Sequence, residues 1–290
     1  MDDYLVRAVS KDGLIRGFAA ITTQLVQELQ RRQHTFPVVS AALGRTATMG
    51  AIMGCMLKEK DQYVSIIVAG DGPIGKISVD ADSDGNVRGR VENPQVDLPL
   101  NDQNKLDVAK AVGKGKIYIY YHLGLKEPYQ GTSPIVSGEL AEDFTYYYAT
   151  SEQTPSSVGL GVLVKRDQIL VSGGYLLQVL PGASEQKVAQ LEENIQSLTS
   201  ITNELSDGKT PEQLLAQLMG EEIEILSSNK IQFRCRCSAE RVERMLFQLG
   251  KKEILSILDE LGKAEVICEY CNEKYAFGEE KLKEILAKMN

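Results

Sequence analysis

The chain has 290 residues, 43% of them hydrophobic and 25% charged, which excludes disordered and fibrous classes and leaves room for a large core plus a smaller module. A formal charge of −8 repels a phosphate backbone in the long-range field and argues against a nucleic-acid partner. Asp2 and Asp3 follow Met1 directly, with no basic n-region, apolar h-region or run of 18 apolar residues, so a cytoplasmic protein with no membrane segment is expected.

In chain order, Tyr4–Val9 and Leu14–Phe18 flank Lys11-Asp-Gly13, a turn signal that predicts an opening hairpin. Helical patterns follow over 20–32 and 38–58. Segments 63–68, 76–80, 116–121, 159–164 and 168–172 read as strands, with a helix near 138–150 between them. Strands joined by short turns, with helices grouped apart, predict an α+β fold: an antiparallel-sheet core domain over 1–182. A composition shift after Leu180-Pro-Gly-Ala183 opens a helical linker over 183–230. There Val188, Leu191, Ile195, Leu198, Ile201 and Leu205 form one apolar stripe on a helix stopping at Gly208, and Thr210-Pro-Glu-Gln213 caps a second helix ending at Gly220. The stripe is expected to pack on the main domain, so apolar side chains become exposed if the linker lets go. Residues 231–290 read as a small C-terminal domain, in which Ile231–Cys237 reads as a strand entering a helix capped by Ser238. A second helix (252–261), a strand (265–268) and a closing helix (279–289) follow.

Five cysteines in a chain of cytoplasmic type point to metal binding or redox chemistry rather than a disulfide framework. Four lie within the last 56 residues as Cys235-x-Cys237 and Cys268-x-x-Cys271. Two close pairs on separate turns can supply four thiolates to one tetrahedral zinc, and the spacing matches no ferredoxin pattern. Cys55, alone in an apolar stretch, reads as a buried core residue. Gly70-Asp-Gly-Pro-Ile-Gly-Lys76 imitates a phosphate loop, but strand-like alternation follows it, so it reads as a hairpin turn. His34 and His122 have no partner at ligand spacing, and no Gly-x-Ser-x-Gly elbow exists; no catalytic residues are assigned and an enzyme is not expected. Tyr146-Tyr-Tyr148 puts rings on several helix faces and reads as core packing, with an aromatic binding surface as the alternative.

Gly89-Arg-Val-Glu-Asn-Pro94, Ser137-Gly-Glu-Leu-Ala-Glu-Asp143, Tyr147-Tyr-Ala-Thr-Ser-Glu-Gln153, Gly173–Ala183 and the two cysteine pairs occur in an order that resembles the heat shock protein 33 family. That resemblance implies an ATP-independent holdase chaperone that binds unfolded clients during oxidative stress, inactive when reduced and zinc-bound and active after disulfide formation. It implies Cys235–Cys237 and Cys268–Cys271 disulfides after zinc leaves, a metastable linker, and a homodimer when oxidised. Residues i and i+2 of an extended strand stand about 6.5–7 Å apart at Cα, so closing Cys235–Cys237 is expected to distort its strand and to follow Cys268–Cys271. Two rivals remain. A zinc-ribbon nucleic-acid module is disfavoured by the balance of eleven basic and eleven acidic residues over 231–290. A thiol oxidoreductase using Cys268 and Cys271 lacks the expected βαβ setting.

Overall fold

The computed structural model describes residues 2–289, and the chain falls into two compact units, Met1–Arg234 and Cys235–Asn290. The first opens with β1 (Tyr4–Ser10) and β2 (Ile15–Ile21), paired antiparallel across Lys11-Asp-Gly13 as expected. Helices α1 (Thr23–Gln33) and α2 (Pro37–Cys55) follow. The amides of Gln24 and Leu25 in the first turn of α1 donate to the Asp3 carboxylate at 3.1 and 2.7 Å. Burial lifts that carboxyl to about 6 while the amide donors oppose the rise. In α2 all residues but Pro37, Arg45 and Cys55 are buried. By length and composition this helix could cross a bilayer, yet 89% of its apolar window lies inside the fold, as befits a core helix.

The remaining elements of this unit are β3 (Tyr63–Gly70), β4 (Lys76–Asp82), β5 (Asn86–Val91), α3 (Val108–Val112), β6 (Gly115–His122), β7 (Tyr129–Ile135), α4 (Ala141–Thr150), β8 (Ser156–Lys165), β9 (Gln168–Val179), α5 (Glu185–Ser197), α6 (Ile201–Ser206), α7 (Pro211–Met219), β10 (Ile223–Lys230) and β11 (Gln232–Phe233). They build a five-stranded sheet, β10-β1-β2-β9-β8, and a six-stranded sheet, β11-β5-β4-β3-β6-β7. Among the described strands every pairing is antiparallel except the short β11–β5. The fold is α+β, as the pattern implied. Helix α2 packs on strands of both sheets. Where it crosses β4, a Cβ on Gly50 would stand 2.7 Å from Val79 Cγ1, so only glycine permits the approach.

Period two divides the five-stranded sheet between two cores. Leu5, Phe18, Ala20 and Leu176 face the α2 side, whereas Val6, Ala8, Ile15, Ala19, Val171 and Leu177 face the other. On that second face lie Leu191, Ile201, Leu205, Leu214, Leu215, Leu218 and Met219 of α5, α6 and α7. Residues that the sequence assigns to a connector therefore cover an apolar sheet face, and both faces of β2 and β9 are buried. Tyr4 Oη donates to Glu212 at 2.9 Å, and Lys187 pairs with Asp12 and with Glu221. That cation holds the Asp12 carboxyl down at about 2.

Three local expectations change. The stripe helix is two helices, broken at Leu198–Ser200, where Leu198 is extended and Ser200 is the N-cap residue of α6. Strands β5, β7 and β10 carried no clear signal: Pro134 interrupts β7, tolerated because β7 is an edge, and β10 is an exposed edge with no alternation. The strand expected over Ile231–Cys237 shrinks to Gln232–Phe233, and Arg234–Ser238 carries no ladder. Strand distortion therefore gives no reason for Cys235–Cys237 to close late.

The second unit contains α8 (Ala239–Leu249), α9 (Lys251–Leu261), the antiparallel pair β12 (Lys263–Ile267) and β13 (Lys274–Gly278), and α10 (Glu279–Ala287). Ser238 Oγ caps α8 by accepting the Arg241 amide at 3.2 Å, and Gly262 ends α9 in the left-handed region at φ +66°. Val242, Leu246, Ile254, Phe277 and Leu282 form most of its small core.

Candidate metal centre

The two cysteine pairs reach one point by different routes. Cys235 and Cys237 lie in the irregular segment before α8. Cys268 and Cys271 lie in the turn between β12 and β13, where the Cys268 amide donates to Glu273 O at 3.0 Å and the Asn272 amide to Cys268 O at 2.8 Å. Asn272 takes φ 56°, which lets the chain fold back within this turn. All four sulfurs lie within 4.8 Å of one another, with Cys235 and Cys268 3.7 Å apart and Cys237 and Cys271 3.3 Å apart. A zinc–sulfur bond of about 2.3 Å implies tetrahedral sulfur–sulfur edges of about 3.8 Å, within this spread. The four side chains could hold one metal ion.

Electrostatics points the same way. Burial first, and the neighbouring sulfurs second, push the Cys271 thiol well above its ordinary value, and burial likewise raises Cys237. Thiolates crowded in this way need a divalent cation to remain charged at neutral pH. Tyr275 Oη donates to Cys237 Sγ at 3.1 Å, and this bond is the main reason the phenol is raised. Nothing in the cysteine spacing pointed to Tyr275; its place on β13, four residues after Cys271, was the available clue.

Other singled-out residues fall elsewhere. Cys55 is partly exposed rather than fully buried, packs against the first core, and is pushed to about 12 by burial and by Asp82 and Asp84. His34 caps α1 in the left-handed region, and the ring of His122 stacks on Tyr63 with centroids 4.0 Å apart. Gly70–Lys76 is the β3–β4 turn. Tyr147 and Tyr148 are buried in the first core, and Tyr146 is exposed at 39%.

The model of the Hsp33 protein family matches residues 3–278. This chain belongs to the Hsp33 family. It is 50% identical over 288 residues to the 33 kDa chaperonin of Oceanobacillus iheyensis, covering 98% of this chain and 99% of that one. The 33 kDa chaperonin of Clostridioides difficile is 49% identical with complete coverage of both chains. The crystal structure of the 33 kDa chaperonin (heat shock protein 33 homolog) of Thermotoga maritima superposes with a TM-score of 0.93 at 35% identity, covering 99% of each. Hsp33 membership makes this a protein of chaperonin kind.

Proposed function

We propose that the chain is a redox-regulated, ATP-independent holdase of the cytoplasm, with a chaperone core at 1–182, a releasable linker at 183–230 and a zinc-binding redox switch at 231–290. The observation that carries this reading is the cluster of four sulfurs in an Hsp33-family chain. Cys235, Cys237, Cys268 and Cys271 hold one zinc in the reduced state. Bound zinc keeps the sulfurs deprotonated and partly shielded from oxidants.

A peroxide supplies the oxidising equivalents. One thiolate attacks a peroxide oxygen, the O–O bond breaks and hydroxide leaves, giving a sulfenic acid; a second thiolate attacks that sulfur, expels hydroxide and closes the disulfide. Cys235 pairs with Cys237 and Cys268 with Cys271, so two peroxides accept four electrons and the ligand set is gone. The module then loses its staple, the linker loosens, and the face of Val6, Ala8, Ile15, Ala19, Val171 and Leu177 opens to unfolded clients. The oxidised chain acts as a homodimer.

Light scattering from a heat-unfolded client tests this directly. Peroxide-treated protein is expected to suppress scattering at near-stoichiometric ratios and reduced zinc-loaded protein to do little. Equal suppression by both forms, or insulin reduction by either, overturns the reading.

A further inference from the structure

We propose that Tyr275 is a positioning residue for the metal centre: its hydroxyl donates to Cys237 Sγ and lowers the reactivity of that sulfur toward electrophiles. The inference rests on the four-cysteine zinc reading and deepens it. The hydroxyl stands 3.1 Å from the sulfur, within reach of a hydrogen bond to a charged acceptor. Two backbone features hold it there. Tyr275 is on β13, paired with Val266 of β12, and Cys268 and Cys271 lie in the turn between these two strands. Phe277, two residues on and therefore on the same side of the strand, is anchored in the module core with Leu282 and Ile285. The same hairpin thus supplies two of the four sulfurs and the donor to a third.

Sulfur attacks an electrophile through a lone pair. A hydrogen bond that occupies this lone pair must be broken or weakened as the new bond forms, so it slows attack and leaves the other ligands unchanged. A zinc thiolate bonded in this way also gives less charge to the metal. Cys271 is protected differently, being 5% exposed.

The test uses the full-length, reduced, zinc-loaded chain and its Tyr275→Phe variant, which keeps the ring and deletes the hydroxyl. Iodoacetamide reports nucleophilicity at each cysteine, since the sulfur displaces iodide to form an S–C bond, and mass spectrometry resolves the four sites. The expected result is roughly 3- to 10-fold faster alkylation at Cys237, the loss expected for one charge-assisted hydrogen bond, with Cys268 unchanged. In the cobalt-substituted protein the thiolate-to-metal charge-transfer band is expected to shift in the variant. An unchanged Cys237 rate, or an equal rise at all four cysteines together with faster zinc loss to a chelator, overturns the proposal, the second because it marks general loosening. Elemental analysis of the wild-type chain separates the two layers: zinc near one per chain with unchanged rates defeats only the role of Tyr275, whereas zinc near zero defeats the metal reading itself.

Discussion

The inner core of the first unit and the C-terminal module are stabilised by different means. In the first, α2 is buried on nearly every side, packs on strands of both sheets, and meets β4 through Gly50 at a distance that admits no side chain. Such packing is intrinsic to the chain and needs no ligand. The module, 56 residues from Cys235 to Asn290, buries a cluster of seven apolar side chains among its described residues, and leaves Met245, Leu249 and Leu261 more than half exposed. A chain of that size is marginal without a staple, and the four sulfurs, all within 4.8 Å of one another, are where a bound metal ion would act as one. The inner core of the larger unit is therefore held by its own packing, and the smaller unit is the part whose stability a bound metal ion would decide.

Removing any metal held by the four cysteines is the harshest way to break this comparison. Structural zinc contributes roughly 10–16 kcal/mol of apparent binding free energy in small peptides, most of it felt as folding energy. A strong chelator under reducing conditions is expected to abolish amide protection over α8, α9 and α10 while β2, β3 and α2 keep theirs. Hydrogen exchange read by mass spectrometry distinguishes the cases. Retained protection over 239–287 in zinc-free protein means that the small core suffices alone and that the contrast drawn above is mistaken.

A smaller effect sharpens the contrast within the first unit, between the two faces of the five-stranded sheet. Gly17 lies beneath α7, where a Cβ would run into the Met219 side chain and stand 2.8 Å from Leu215 Cδ2. The neighbouring face holds Phe18 in the inner core. Gly17→Val overpacks only the linker side, at a cost of about 1–3 kcal/mol. The linker is expected to detach first, so that the reduced, zinc-loaded variant suppresses client aggregation without oxidant while its α2 amides stay protected. A variant as silent as wild type in the reduced state argues that α7 is held by more than this face.

How legible all this was in the sequence depends on what carried the signal. Period-two runs such as Tyr63–Val68 and the capping box at Thr210 announce themselves because local chemistry and tertiary packing agree; Thr210 accepts the Gln213 amide and the Gln213 side chain accepts the Thr210 amide. The clustering of the four cysteines was legible because four soft donors at such spacing have few other uses. Strand β10 was not, since its outward residues Ile225 and Leu226 are exposed and its place is set by pairing with β1, more than two hundred residues away. The break at Leu198–Ser200 was hidden by a stripe that continues in phase across it. Tyr275 was hidden for a third reason: a donor to a single cysteine sulfur leaves no spacing rule in the chain.

The smallest effect concerns a buried carboxyl in the first unit. Asp3 is 2% exposed, and burial raises its pKa from 3.8 to about 6 against the pull of amides from Thr23, Gln24 and Leu25. Between those two values the folded state binds more protons than the unfolded state, so this group makes stability fall as pH rises from about 4 to 6 and contributes no further change above. A shift of about two units sets a ceiling of about 3 kcal/mol, and relaxation of the surroundings brings the expected drop nearer 1 kcal/mol. Asp3→Asn removes the titration and keeps one amide acceptor. Denaturant midpoints of the two proteins, measured from pH 4 to 7, are expected to give a wild-type-minus-variant difference that declines up to pH 6 and then levels. A difference that rises over this range means the carboxylate is stabilised by its amide donors more than burial penalises it, and that the first unit holds Asp3 as an ion throughout.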